Sequence, residues 1–303
     1  MDKELLDSRI NEVNKIIFSF LPEKNENISR ITGAMEYSVK AGGKRIRPIL
    51  MQEAYRLFCH GKEESVLLHK FMAAIEFIHS YSLCHDDLPA MDNDTLRRGK
   101  PSTWAQYDEA FGILAGDALL NYAFELITEE LDDCPDMAEL RRGARALNVL
   151  AKKAGIYGMI GGQCIDVYSE KDAGFKLDLD RIIYIHKNKT SALLEASLMI
   201  GAILAGANKN CIEAMEEVAE NVGFAFQIRD DILDVTSTDE ELGKPAGSDA
   251  KNNKVTYVTL KGLEESQKDV EKYTDKAVDI LNELPYSSDF LNELVLWLAG
   301  RKK

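Results

Sequence analysis

Almost every long segment of this chain repeats its apolar residues at helical spacing, and proline falls between those segments. From Phe71 to Leu88, the residues Phe71, Ala74, Ile75, Ile78 and Leu83 form one broad stripe. Residues 111–131, 145–167, 179–206, 211–235 and 254–281 follow the same period, and each is too long for a strand. Leu21-Pro22, Cys134-Pro135, Lys244-Pro245 and Leu284-Pro285 punctuate between them. The dipeptides Asn-Gly and Asp-Gly, the strongest short hairpin signals, do not occur. The expected fold is all-α, with ten or more helices. No shift of composition marks a linker, so residues 1–303 read as a single domain.

Composition narrows the function. Hydrophobic residues make up 45% of the chain, enough for a large core. The net charge of −14 should repel nucleic acid and anionic membrane. An anionic ligand must therefore be drawn in by a local cluster of cations or by bound metal. The five cysteines, Cys59, Cys84, Cys134, Cys164 and Cys211, contain no CxxC pair and read as reduced thiols of a cytosolic protein. The opening MDKELLDSRINEV is charged and amphipathic, unlike a secretory signal. The longest largely apolar run, Ala196 to Ala207, is well short of the roughly 20 residues a membrane span needs. A soluble, cytoplasmic protein without stable membrane anchoring is expected.

An internal echo points to the chemistry. One apolar helix runs into Asp86-Asp87, and Gly99-Lys100-Pro101 follows at an offset of 13. A second runs into Asp230-Asp231, and Gly243-Lys244-Pro245 follows at the same offset. Asp230 and Asp234 share a helix face, with Asp231 about 100° around from Asp230. Pro89 should end the first helix near Asp87 and return Asp92 from a loop. Both clusters are expected at helix C-termini, where the macrodipole disfavours negative charge. Crowded carboxylates in that position call for a cation, and all-oxygen ligands favour a hard one such as Mg²⁺.

The cations stand close by in sequence. Gly42-Gly43-Lys44-Arg45-Ile46-Arg47 sets three beside a flexible glycine pair, and Arg97-Arg98 follow the first aspartate cluster. Lys189-Thr190 lie on a mid-chain helix, and Lys244 and Lys254 follow the second cluster. In so acidic a chain, this set suggests a polyanion, most simply a diphosphate. His79 lies two turns before Asp86 on the same helix face and could donate to a phosphate. His85 reads as a residue that orients a carboxylate. His60, His69 and His186 have no cluster partner and read as structural.

These motifs resemble the trans-polyprenyl diphosphate synthases of the bacterial farnesyl and geranylgeranyl type. GGKRIRP, HSYSLCHDDLPAMDNDTLRRGKP, LAGDALL, GGQCIDV, HKNKT, FQIRDDILDV and LGKPAGSDAKNNKVTYV occur in the family's order over nearly the whole chain. The resemblance implies an isoprenoid synthase bundle around a deep central cavity, usually a homodimer. It implies that Asp86, Asp87 and Asp92 hold two Mg²⁺ ions, and that Asp230, with Asp231 and Asp234 nearby, holds a third. Lys44, Arg47, His79 and Arg98 would bind isopentenyl diphosphate. Arg97, Lys189 and Lys244 would bind the allylic diphosphate, with Lys254 in support. Gln163, Asp166, Thr190 and Gln227 would line the reacting centre.

Product length is read from helical rise. Tyr81 and Ser82, five and four positions before Asp86, lie about one turn deeper. A tyrosine ring there could floor the pocket after about fifteen carbons. The resemblance implies that bulk at this level shortens products and that the two extra residues in DDLPAMD mark farnesyl enzymes, which favours farnesyl over geranylgeranyl diphosphate. A terpene cyclase would not need a second diphosphate site. A non-catalytic partner subunit would be expected to have lost site residues that this chain keeps. Arg301, Lys302 and Lys303 are either a lid over the site or a solvated tail.

Overall fold

A computed structural model describes residues 1–172, 174–236 and 255–300. Its helices are α1 (Lys3–Ser19), α2 (Ser29–Lys40), α3 (Ile46–Phe58), α4 (Val66–Asp86), α5 (Thr103–Gln106), α6 (Glu109–Asp132), α7 (Met137–Ala154), α8 (Met159–Lys171) and α9 (Leu179–Ile185). A π-helical turn, His186–Ser191, leads into α10 (Ala192–Ala205) and α11 (Lys209–Thr236). Beyond the second aspartate cluster come α12 (Tyr257–Lys261), α13 (Leu263–Glu283) and α14 (Asp289–Gly300). The strands described are β1 (Leu96–Arg97) and β2 (Lys100–Pro101), paired as a small antiparallel hairpin. The all-α expectation holds.

Local chemistry sets the helix starts. Ser65 caps α4 by accepting the Leu68 N–H at 3.2 Å. Asp108 caps α6 through the Phe111 N–H at 2.8 Å, and Asp136 caps α7 through Ala138 and Glu139. Each side chain satisfies an amide donor that the first turn leaves unpaired.

Helices α4 and α10 form the centre. A helix apolar all round must be buried all round, and α10 buries Leu193, Leu194, Ala196, Leu198, Ile200, Ala202 and Ile203 against α3, α7 and α11. On α4, Phe71, Met72, Ala74, Ile75, Phe77 and Ile78 are fully enclosed. A smaller core joins Ile182, Phe224, Ile228, Ile232 and Tyr257 beneath the second aspartate cluster.

Among the described residues, α6 is long and apolar enough to cross a membrane by length and composition, which the longest apolar run did not foretell. Asp117 and Glu125 divide its apolar residues into short stretches, so no single uninterrupted run betrays it. Gly112, Ala115, Gly116, Leu119, Ala123, Leu126 and Ile127 are buried along it, and α4 is its main packing partner.

Candidate active site

Helix α4 delivers the first aspartates. It ends at Asp86, with Asp87 as its C-cap, as the following proline requires. The loop folds straight back, and the Asp92 N–H donates to the Asp86 carbonyl at 2.9 Å. Burial raises the Asp86 carboxyl to about 6, with Asp92 and Asp87 adding to the rise and Lys189 and Arg97 opposing it. Asp87 is also pushed up by burial, against the pull of Arg97. Arg97 reaches it with Nε at 3.0 and 3.2 Å from the two oxygens, and with Nη2 as well.

The second cluster differs from the expectation. Asp230 lies inside α11, which runs on to Thr236, so its first carboxylate does not stand at a helix end. Asp231 turns away from the Asp230–Asp234 face and accepts the Tyr257 N–H at 2.8 Å. His186 Nε2 stands 3.8 Å from the same Asp231 oxygen, and its ring stacks on Tyr257 with centroids 6.2 Å apart. His186 is thus tied to the second cluster. Sequence spacing could not reveal this, because 45 positions separate the two residues. Asp234 is buried.

Two helices and the π-helical turn link the clusters. Gln163 on α8 donates from Nε2 to Asp86 Oδ1 at 2.7 Å. One turn on, the buried Asp166 accepts from Lys189 Nζ at 2.5 Å. Lys189 and Thr190 stand on the π-helical turn, a wider coil that interrupts the regular ladder of backbone bonds. Close approach depends on two glycines, Gly162 on α8 and Gly223 on α11. A Cβ on Gly162 would meet the Lys189 nitrogen at 2.2 Å, and one on Gly223 would meet Ser191 Oγ at 2.1 Å. Gln227 lies on α11 one turn before Asp231, half-buried.

The cationic side gathers around His79. Burial depresses its basicity well below the usual 6.5, and Arg47, Arg98, Arg45 and Arg97 push it further down. The ring is therefore neutral at physiological pH. Burial lowers the Arg47 guanidinium to about 10, opposed by Glu76, and its Nε has no hydrogen-bond partner among the described residues. Arg98 stands at the tip of the hairpin with a left-handed backbone and donates to the Gly42 carbonyl. Gly42 and Gly43 both hold positive φ, and a Cβ on Gly43 would strike the Arg98 guanidinium at 2.7 Å. Lys44 is exposed, its Nζ 4.9 Å from the Trp297 ring centre.

Several expectations need revision. Arg45 leaves the ligand-facing cations, because it is buried against Glu76, Val39 and Asn14. His85 does not orient the aspartates of the motif, since its Nε2–H donates to the Ile113 carbonyl at 3.0 Å on α6. His69 pairs with Glu64 at 2.9 Å, and the His60 ring packs on Tyr286, both structural as expected. Tyr81 is buried, and Ser82 donates to the His79 carbonyl at 2.9 Å. Lys244, Lys254 and the tail Arg301, Lys302 and Lys303 lie outside the described residues.

A family profile described as polyprenyl synthetase matches residues 28–284. The farnesyl diphosphate synthase of Geobacillus stearothermophilus is 48% identical over 80% of this chain and 78% of its own. The large subunit 1 of the chloroplastic heterodimeric geranylgeranyl pyrophosphate synthase of Arabidopsis thaliana is 43% identical, over 91% of this chain and 72% of its own. Among solved structures, a Zymomonas mobilis FPP/GFPP synthase superposes with a TM-score of 0.84 at 32% identity, covering 98% of both chains. An all-helical prenyltransferase is the class that fold and site define together. The chain belongs to the polyprenyl synthetase family.

Proposed function

We propose that this protein condenses isopentenyl diphosphate head to tail with dimethylallyl and then geranyl diphosphate, releasing farnesyl diphosphate. The observation that carries the proposal is the position of the π-helical turn. It holds Lys189 beside Asp86 and Asp166, while His186 at its start reaches the second aspartate cluster.

The donor set suits a hard divalent ion. Among the described residues no three His, Cys, Asp or Glu side chains form a ready-made metal cage. Mg²⁺ is usually held by one or two carboxylates plus substrate phosphate oxygens, and burial, which raises Asp86, makes its ionised form depend on a neighbouring cation. Asp86, Asp87 and Asp92 would hold two ions and Asp230 a third. Asp234 stands on the Asp230 face, and Asp231, which also accepts the Tyr257 N–H, lies beside them. Bound there, Mg²⁺ supplies charge neutralisation for the leaving diphosphate.

The chain's own groups do the rest. Lys44, Arg47, His79 and Arg98 bind isopentenyl diphosphate. Arg97, Lys189 and Lys244, with Lys254 behind them, grip the allylic diphosphate. The allylic C–O bond breaks with its electron pair leaving on the diphosphate. Thr190, Gln163, Gln227 and carbonyls of the π-helical turn face the resulting cation, with Asp166 holding Lys189 in place. The isopentenyl alkene supplies the electrons of the new C–C bond. A proton then passes to the departing diphosphate, so no separate catalytic base is required.

Tyr81, with Ser82 beside it, closes the pocket at C15. We read residues 1–303 as one cytoplasmic working domain that pairs with a second copy. Exposed apolar side chains for that pairing are Ile113 and Leu114 on α6 and Ile156, Tyr157 and Ile160 around the start of α8.

Incubation with Mg²⁺, isopentenyl diphosphate and each of dimethylallyl, geranyl and farnesyl diphosphate tests the reading. Extension of the first two to C15, with farnesyl diphosphate left almost untouched, is the expected result. Dominant C20 would make the protein a geranylgeranyl diphosphate synthase instead. No elongation by folded, metal-loaded protein would leave a non-catalytic subunit.

A further inference from the structure

We infer that His85 sets product length by holding the Tyr81 ring in place, although it adjoins the aspartate motif. The inference rests on the proposal that Tyr81 closes the chain pocket. Phe77, Tyr81 and His85 stand four apart, one above another on α4. Phe77 stacks on Tyr122 of α6 with centroids 6.0 Å apart. Tyr81 meets the His85 ring edge to face, at 5.7 Å and 78°.

His85 is itself anchored to α6. Its Nε2–H donates to the Ile113 carbonyl at 3.0 Å and lies 3.7 Å from Asp117 Oδ1. The ring fits only because residue 116 is glycine, since a Cβ there would come within 2.1 Å of Nε2. Tyr81 has no such anchor of its own. Its hydroxyl is buried without a hydrogen-bond partner among the described residues, so the ring is held by packing and the His85 edge. Ser82, the other pocket candidate, is engaged with the His79 carbonyl instead. The order of dependence is therefore α6 to His85, His85 to Tyr81, and Tyr81 to chain length.

Product analysis of purified variants separates this from a general structural role. A merely weakened enzyme loses turnover and keeps its product spectrum. Four variants are compared with the wild-type enzyme: Tyr81→Ala, His85→Ala, His85→Gln and the Tyr81→Ala/His85→Ala double variant. His85→Gln carries an amide donor at about the reach of Nε2 for the Ile113 carbonyl but no ring, and it decides the matter if His85→Ala fails to fold.

Both His85 variants are expected to raise the C20-to-C15 ratio by two- to tenfold, roughly the population change one edge-to-face ring pair can control. The double variant should match Tyr81→Ala alone, because His85 acts through that ring. Tyr81→Ala lengthening the product while the His85 variants keep the wild-type ratio overturns the inference and leaves the Tyr81 floor standing. A double variant making longer chains than Tyr81→Ala also overturns it, since His85 would then shape the pocket directly. An unchanged spectrum in Tyr81→Ala removes the floor, and the inference with it.

Discussion

Arg45 Nη1 lies 2.6 Å from Glu76 Oε1, and both side chains are almost wholly enclosed. This pair turns one cation of the GGKRIRP segment inward, where Arg45 braces α3 against α4. The proposed diphosphate ligands of the segment are therefore Lys44 and Arg47. Removing one partner of a buried pair leaves an uncompensated charge and costs about 3–5 kcal/mol. Arg45→Met and Glu76→Gln should each lose stability on that scale in urea unfolding, while the KM for isopentenyl diphosphate in the surviving folded enzyme changes less than twofold. A large KM effect at full stability would return Arg45 to the ligand-facing set.

The arginines around His79 predict a pH effect. Its native basicity is depressed, by burial first and then by Arg47, Arg98, Arg45 and Arg97. The unfolded chain therefore binds this proton more readily than the native chain. Stability then rises with pH through that window and falls as pH drops below about 6.5, the ordinary histidine value. His79→Gln should flatten the decline that sets in below about pH 6.5, read as denaturation midpoints in a pH series. Parallel curves for wild type and variant would show that His79 is not the group responsible.

Gly162 governs the approach of α8 to the π-helical turn. A methyl there would lie 2.2 Å from the Lys189 nitrogen, so backbone has to move. Overpacking of this kind costs about 1–3 kcal/mol. Displacing Lys189 and Thr190 should also lower kcat at least about tenfold, since misplacement by an ångström can cost even more. Steady-state kinetics on a Gly162→Ala protein that remains folded checks this, and unchanged kcat would show that the turn tolerates the shift.

No three-ligand metal cage occurs among the described residues, so Mg²⁺ should bind weakly until diphosphate completes its shell. Calorimetric titration with Mg²⁺ alone, then with inorganic diphosphate present, is expected to show at least about tenfold tighter metal binding in the second case. A chelator should abolish turnover and leave the helical circular dichroism intact. Tight binding of Mg²⁺ to the ligand-free protein would mean that the carboxylates are already organised as a cage.

Much of the site was legible in the chain itself. Helical periodicity, proline placement and the paired Asp-Asp motifs depend on neighbours within about one or two turns, and such short-range order survives in a linear reading. The end of α4 at Asp86, forced by Pro89, and the return of Asp92 were readable for that reason. The partners of His186, Arg45 and His85 were not. Asp231, Glu76 and Ile113 lie 45, 31 and 28 positions away, and sequence spacing carries no information about which distant faces meet.

By itself, the sequence determined the helical class and the inventory of carboxylates and cations, because local backbone preferences and residue chemistry do not wait for packing. Tertiary structure alone decided which cation faces inward, which aspartate turns toward Tyr257, and how closely the π-helical turn approaches α8. Those outcomes depend on burial and on contacts across the core, where a charge must find its partner before water is excluded.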